Sequence, residues 1–124
     1  MLRNLLYGFC LAALTVLTPL AVPAQAPAGD AYVEGIPDLP LMPGLTAVPE
    51  SGLVFDKPAG RIVQAFAEGS MTMQSVMTFY DETLPQLGWQ RAGVGDYLRE
   101  GERLKLDLSQ TARGVTVQFQ LFPQ

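Results

Sequence analysis

A chain of 124 residues accommodates one domain, and this one carries no histidine and a single cysteine, Cys10. That composition excludes Ser-His and Cys-His nucleophile pairs and imidazole-held metals. With 12 acidic against 8 basic residues, net −4, it also lacks the basic surface that nucleic acid requires.

The first element in chain order reads as an export signal. Arg3 is the only charge before Asp30, and Leu5 to Val22 is apolar or weakly polar. Pro19 breaks the helix and small residues follow in "AVPAQA". Residues 1–24 are therefore expected to be removed, with cleavage after Ala24. Cleavage after Ala26 is the alternative, hindered there by Pro27. A retained membrane anchor would need roughly 20 apolar residues, and Pro19 and Pro23 fall in its last turns. After cleavage no thiol remains, so disulfides and thiolate metal sites are ruled out. Seven basic and twelve acidic residues then leave a net charge of −5.

Residues 25–50 hold Pro27, Pro37, Pro40, Pro43 and Pro49, which forbid a regular helix and favour an extended, polyproline-like arm. Its apolar side chains Ile36, Leu39, Leu41, Met42 and Leu45 need cover. Either the arm lies across its own domain, or it offers Leu39, Leu41, Met42 and Leu45 to a partner's groove or sheet edge.

Residues 51–124 read as a small α+β domain. "GLVFD" is a short extended run ended by the turn "KPAG". "RIVQAFAE" predicts a central strand whose small face, Val63, Ala65 and Ala67, lets a helix approach. That helix begins at Thr72, a good N-cap, and carries the stripe Met73, Val76, Met77, Tyr80, Leu84 and Leu87. Pro85 loosens its last turn and Gly88 ends it. Beyond "WQRA" and "GDYLRE", the runs "ERLKLDL" and "GVTVQFQLF" alternate apolar and polar residues, with Glu100-Gly101 and "QTARG" as hairpin connections. The expected architecture has two layers: one helix on one face of a mainly antiparallel sheet of four to five strands, in β-α-β-β-β order.

Within "FYDETLPQLGW", Asp81 and Glu82 are adjacent on a helix and diverge by about 100°, so they cannot converge on one substrate atom. They are expected to form a solvated face, while Val76, Phe79, Tyr80, Leu84, Gly88 and Trp89 staple helix to strand, the Trp89 indole N–H finding a carbonyl. "SVMTFYDETLPQLGW" resembles the helix-to-strand segment of small exported bacterial envelope proteins and lipoproteins that carry a Val-x-x-Phe-Tyr-x-x-x-Leu-x-x-x-Gly-Trp pattern. The flanking "FDKPAGRIV" and "YLREGERLKL" are similar too. The resemblance spans roughly the last three-fifths of the chain. It implies an envelope location and a β-α-β-β type domain, and it carries over no catalytic residue.

Further chemistry is sparse. Asp96, Glu100 and Glu102 read as a hairpin rim rather than a glycosidase pair. Arg99 and Arg103 flank one turn and are the candidates for binding a carboxylate or phosphate together, against mutual pairing with Glu100 and Glu102. The sequence therefore predicts a non-catalytic periplasmic or extracellular interaction module, without cofactor or metal, whose partner is another envelope protein. The contact is expected on the arm, the polar sheet face or an edge strand. The membrane is involved only if the export signal stays uncleaved. The alternative is a small-ligand or lipid carrier with a pocket between helix and sheet, lined by Met77, Phe66 and Leu106.

Overall fold

The computed structural model describes residues 31–124. The expected export segment, residues 1–24, and both cleavage points lie outside the described residues. In chain order the elements are strands β1 (Thr46–Ala47), β2 (Leu53–Lys57) and β3 (Gly60–Gly69), helix α1 (Met73–Thr83) with a 3-10 turn over Leu84–Leu87, and strands β4 (Gln90–Gly93), β5 (Asp96–Arg99), β6 (Glu102–Thr111) and β7 (Gly114–Pro123).

The helix forms where its caps and stripe place it. The Thr72 Oγ1 accepts from the Ser75 N–H at 3.1 Å, and Val76, Tyr80 and Leu84 are buried. Pro85 has no N–H to continue the ladder, and the chain tightens into the 3-10 turn. Gly88 then takes φ 88°, the left-handed cap. The Trp89 N–H closes onto the Leu84 carbonyl at 3.1 Å.

All strand pairs are antiparallel, in the order β1-β3-β7-β6-β5-β4, and β2 lies beside β1 on the same outer side of β3. After β3 the chain crosses through α1 to the far edge, β4, and returns by hairpins to close β7 onto β3. Register builds the core row by row: Val63, Leu121 and Leu104 lie side by side, as do Ala65, Phe119 and Leu106. Helix α1 covers this face, with the Tyr80 ring edge-on to Phe119 at 5.5 Å. The small face of β3 is thus the one beneath the helix, as its side-chain sizes require.

Seven strands replace the expected four to five. Strand β1, two residues long, is too short to show any alternation, and the β4–β5 hairpin contributes two strands of four residues each. Three strands precede the helix rather than one.

Over its described residues, 31–50, the arm is neither extended nor separate. Its chain folds back, with the Val33 N–H bonded to the Leu39 carbonyl at 2.9 Å and the Leu41 N–H to the Ala31 carbonyl at 2.8 Å. Gly35 turns it with φ 81°. Val33, Ile36, Leu39, Leu41 and Leu45 join one core with Tyr80, Trp89 and Phe119. Tyr80 fixes the arm from below: its hydroxyl donates to the Pro40 carbonyl at 2.9 Å and accepts from the Met42 N–H at 3.1 Å. The boundary drawn at residue 50 therefore runs through one core rather than between two.

Candidate functional site

The side chains singled out from the sequence divide between core and ion pairs. Leu39, Leu41 and Leu45 are buried and Met42 is half-buried against the same core, so none of the four is presented to a partner. Arg99 and Arg103 point to opposite faces of the sheet, because alternation on β5 puts Arg99 with Tyr97 on the helix side and the register sets Arg103 opposite Leu98.

Arg99 stacks over the Trp89 ring at 4.2 Å, donates to the Leu87 carbonyl at 3.0 Å and pairs with Asp38 of the arm at 2.5 Å. Its guanidinium holds the Asp38 carboxyl below the usual carboxylate range. Arg103 Nε lies 3.0 Å from Asp96 Oδ1, within ion-pair distance though without hydrogen-bond alignment. The joint anion site and the pairing with Glu100 and Glu102 both give way to these partners. Glu102 is taken by Arg61 at 3.2 Å, so Asp96 and Glu102 serve different cations and form no acid pair.

Two further expectations are corrected. Among the described residues the buried Trp89 indole N–H has no hydrogen-bond partner, and the Arg99 guanidinium stacks over the ring. Asp81 is not part of a solvated face: it accepts from the Tyr97 hydroxyl and from Arg91, tying α1 to the β4–β5 hairpin. Glu82 beside it is exposed. Burial, reinforced by the Asp81 carboxylate, pushes the Tyr97 hydroxyl well above its ordinary range.

The proposed carrier pocket has no geometry to form it. Leu106 lies on the helix face, whereas Phe66 alternates with Ala65 and Ala67 onto the other face. A surface cleft of about 630 Å³ does exist, lined by Asp38, Leu87, Gly88, Gln90, Arg99 and Glu100, but it opens at the rim of the sheet rather than under the helix.

What remains accessible is the edge formed by β2 and the sheet face beside it. All five residues of β2 are exposed, with Leu53, Val54 and Phe55 at 49%, 54% and 55%. The strand pairs with β3 alone, so its outer row of backbone groups has no partner among the described residues. Leu53 and Phe55 stand opposite Gln64 and Ile62 on the face away from the helix. With half-buried Ile62, Phe66 and Phe122 they give that face an apolar end, which turns polar through Gln64, Gln118, Gln120 and Lys105.

The ends of β2 differ in charge. Lys57 is in no ion pair among the described residues. At the other end lies Glu50, and the Glu34 carboxylate sits against Gly52, where an added Cβ would come within 2.7 Å of its Oε2.

The opposite edge is shorter and irregular. Strand β4 has four residues, a register break between Arg91 and Gly93, and an ion pair from Arg91 to Asp81. The extended run at Leu53–Lys57 is legible in the sequence, but its lack of an outer neighbour depends on strand order, which local pattern does not encode. Comparison with protein-family models, curated proteins and solved structures returned no match to this chain.

Proposed function

We propose that this protein is a non-catalytic interaction module of the bacterial envelope, exported by residues 1–24. Its contact surface is the β2 edge with the apolar end of the adjoining sheet face. The observation that carries this reading is the exposure of three consecutive large apolar residues, Leu53, Val54 and Phe55, on a strand with a free outer side. A five-residue edge strand with three consecutive apolar residues is a template for strand addition, in which backbone hydrogen bonds supply affinity and alternate side chains supply specificity. The resemblance of "SVMTFYDETLPQLGW" to exported envelope proteins supports the location. The absence of histidine and the capture of each paired carboxylate by an arginine or tyrosine support a binding rather than a catalytic role.

The test is position-specific photo-crosslinking in cells, with the probe at Phe55 on β2 or at Gln74 on the exposed side of α1. A defined protein captured from Phe55 only, and lost when Leu53 is changed to Lys, is the expected result. Equal capture from both positions, or none from either, would refute the assignment of the contact to β2.

A further inference from the structure

Independently of the β2 surface, we infer that the cleft at the rim of the sheet is a binding site for a free diamino acid, with the ligand carboxylate on Arg99 and its two ammonium groups on Asp38 and Glu100.

The cleft measures about 630 Å³, within the range of about 300–1,000 Å³ typical of small-molecule sites. Its one cation is fixed before any ligand arrives. The Arg99 guanidinium lies against the Trp89 ring, and both of its protein partners, the Leu87 carbonyl and Asp38, are met through Nη1. Nε and Nη2 therefore have no acceptor among the described residues, and neither is closed off from solvent. These two groups form the side of the fork that takes a carboxylate in parallel hydrogen bonds. The Trp89 stack and the Nη1 bonds already hold them still, so little side-chain freedom is lost on binding.

The acceptors stand in the same cleft. Asp38, with 46% of its side chain exposed, is kept ionised by Arg99 and has lone pairs left for an ammonium. Glu100 is exposed on its turn and is in no ion pair among the described residues. Arg61, the next cation acting on Asp38, is already taken by Glu102. Gln90 and Gln124 add only neutral amides.

Charge chooses among the ligands these groups can hold. One arginine and two carboxylates leave the cleft with a single negative charge in excess, which a ligand of net charge +1 neutralises. A simple amine would leave the free side of Arg99 unused. An amino acid with a neutral side chain would leave one carboxylate unmatched. A carboxylate carrying two ammonium groups, as in lysine or ornithine, matches all three.

Trp89 is the only tryptophan of the chain and touches Arg99, so its fluorescence reports occupancy of the cleft. The experiment titrates the exported protein, purified from cells expressing the full chain, with L-lysine, and a saturable change in emission is expected. Norleucine lacks the side-chain ammonium and cadaverine lacks the carboxylate, so each should bind about tenfold more weakly. Nα-acetyl-lysine keeps only what the C-terminal lysine of a peptide would present, and a similar loss distinguishes a free diamino acid from a peptide end. Glu100→Gln should weaken lysine about tenfold and stay folded by circular dichroism, since Glu100 is in no ion pair. Glu82→Gln, which removes the same charge from the exposed side of α1, should leave lysine binding unchanged.

No saturable response to lysine would overturn the inference. So would equal affinity for norleucine, cadaverine or Nα-acetyl-lysine, or equal losses from Glu100→Gln and Glu82→Gln. None of these outcomes bears on the β2 contact, which the crosslinking from Phe55 decides separately.

Discussion

At the scale of single residues, Tyr80 joins more of the molecule than any pattern in the sequence suggests. Its ring lies in the core against Phe119 and edge-on to Phe79 at 4.9 Å, and its hydroxyl serves two backbone groups of the arm. Tyr80→Phe keeps the ring and leaves the Met42 N–H and the Pro40 carbonyl without that partner. The expected loss is about 1–3 kcal/mol, measured by urea unfolding. The Glu100-Gly101 turn offers a change in the other direction. Both residues have positive φ, 47° and 79°, the signature of a tight two-residue hairpin that favours Asn-Gly. Glu100→Asn should therefore stabilise the protein by about 0.5–1 kcal/mol in the same assay. The turn itself was legible in the sequence because glycine after a polar residue between two alternating runs has few other uses. The Tyr80 hydrogen bonds were not, since the groups they join lie 38 and 40 positions away.

At the scale of elements, the arm and β2 exchange the roles that composition alone would give them. The proline-rich segment has the exposed look of a linker yet supplies Ile36, Leu39, Leu41 and Leu45 to the core. Each such burial contributes about 1.5–3 kcal/mol, against about 5–15 kcal/mol of net stability for a whole domain. A chain lacking residues 31–45 is therefore expected not to fold, with circular dichroism showing no cooperative thermal transition. A cooperative transition close to that of the intact protein would contradict the shared core. Strand β2, by contrast, has a core-like sequence and an exposed position. The difference has one cause: the helix and arm cover only one face of the sheet, and β2 lies at its margin, touched on that face by Glu34 and Gly35 of the arm while its outer side stays uncovered.

At the scale of the whole molecule, two enclosed tyrosines set an alkaline limit. Burial pushes Tyr80 from 10.0 up to about 12, and Tyr97 is raised as well by burial and by Asp81. Unfolded tyrosines ionise near pH 10, while these two hold their protons in the fold. Between about pH 10 and 12 the unfolded chain therefore binds fewer protons than the folded one, and stability falls as pH rises. Tyr80 accounts for about 1.4 kcal/mol per pH unit in that window. Urea midpoints measured from pH 9 to 12 should drop steeply above 10, and Tyr80→Phe should flatten the slope. The sequence by itself determined the elements with a local period: the helix from Thr72, its stop at Gly88, the alternating strands and the small face of β3. Such patterns reside in side chains two to four positions apart, where the chain's own geometry brings them together. Tertiary structure alone decided the seven-strand order, the burial of the arm, the partners of Arg99, Arg103 and Asp81, and the edge left open at β2. Those outcomes join residues tens of positions apart, and they depend on register and on which face the helix covers.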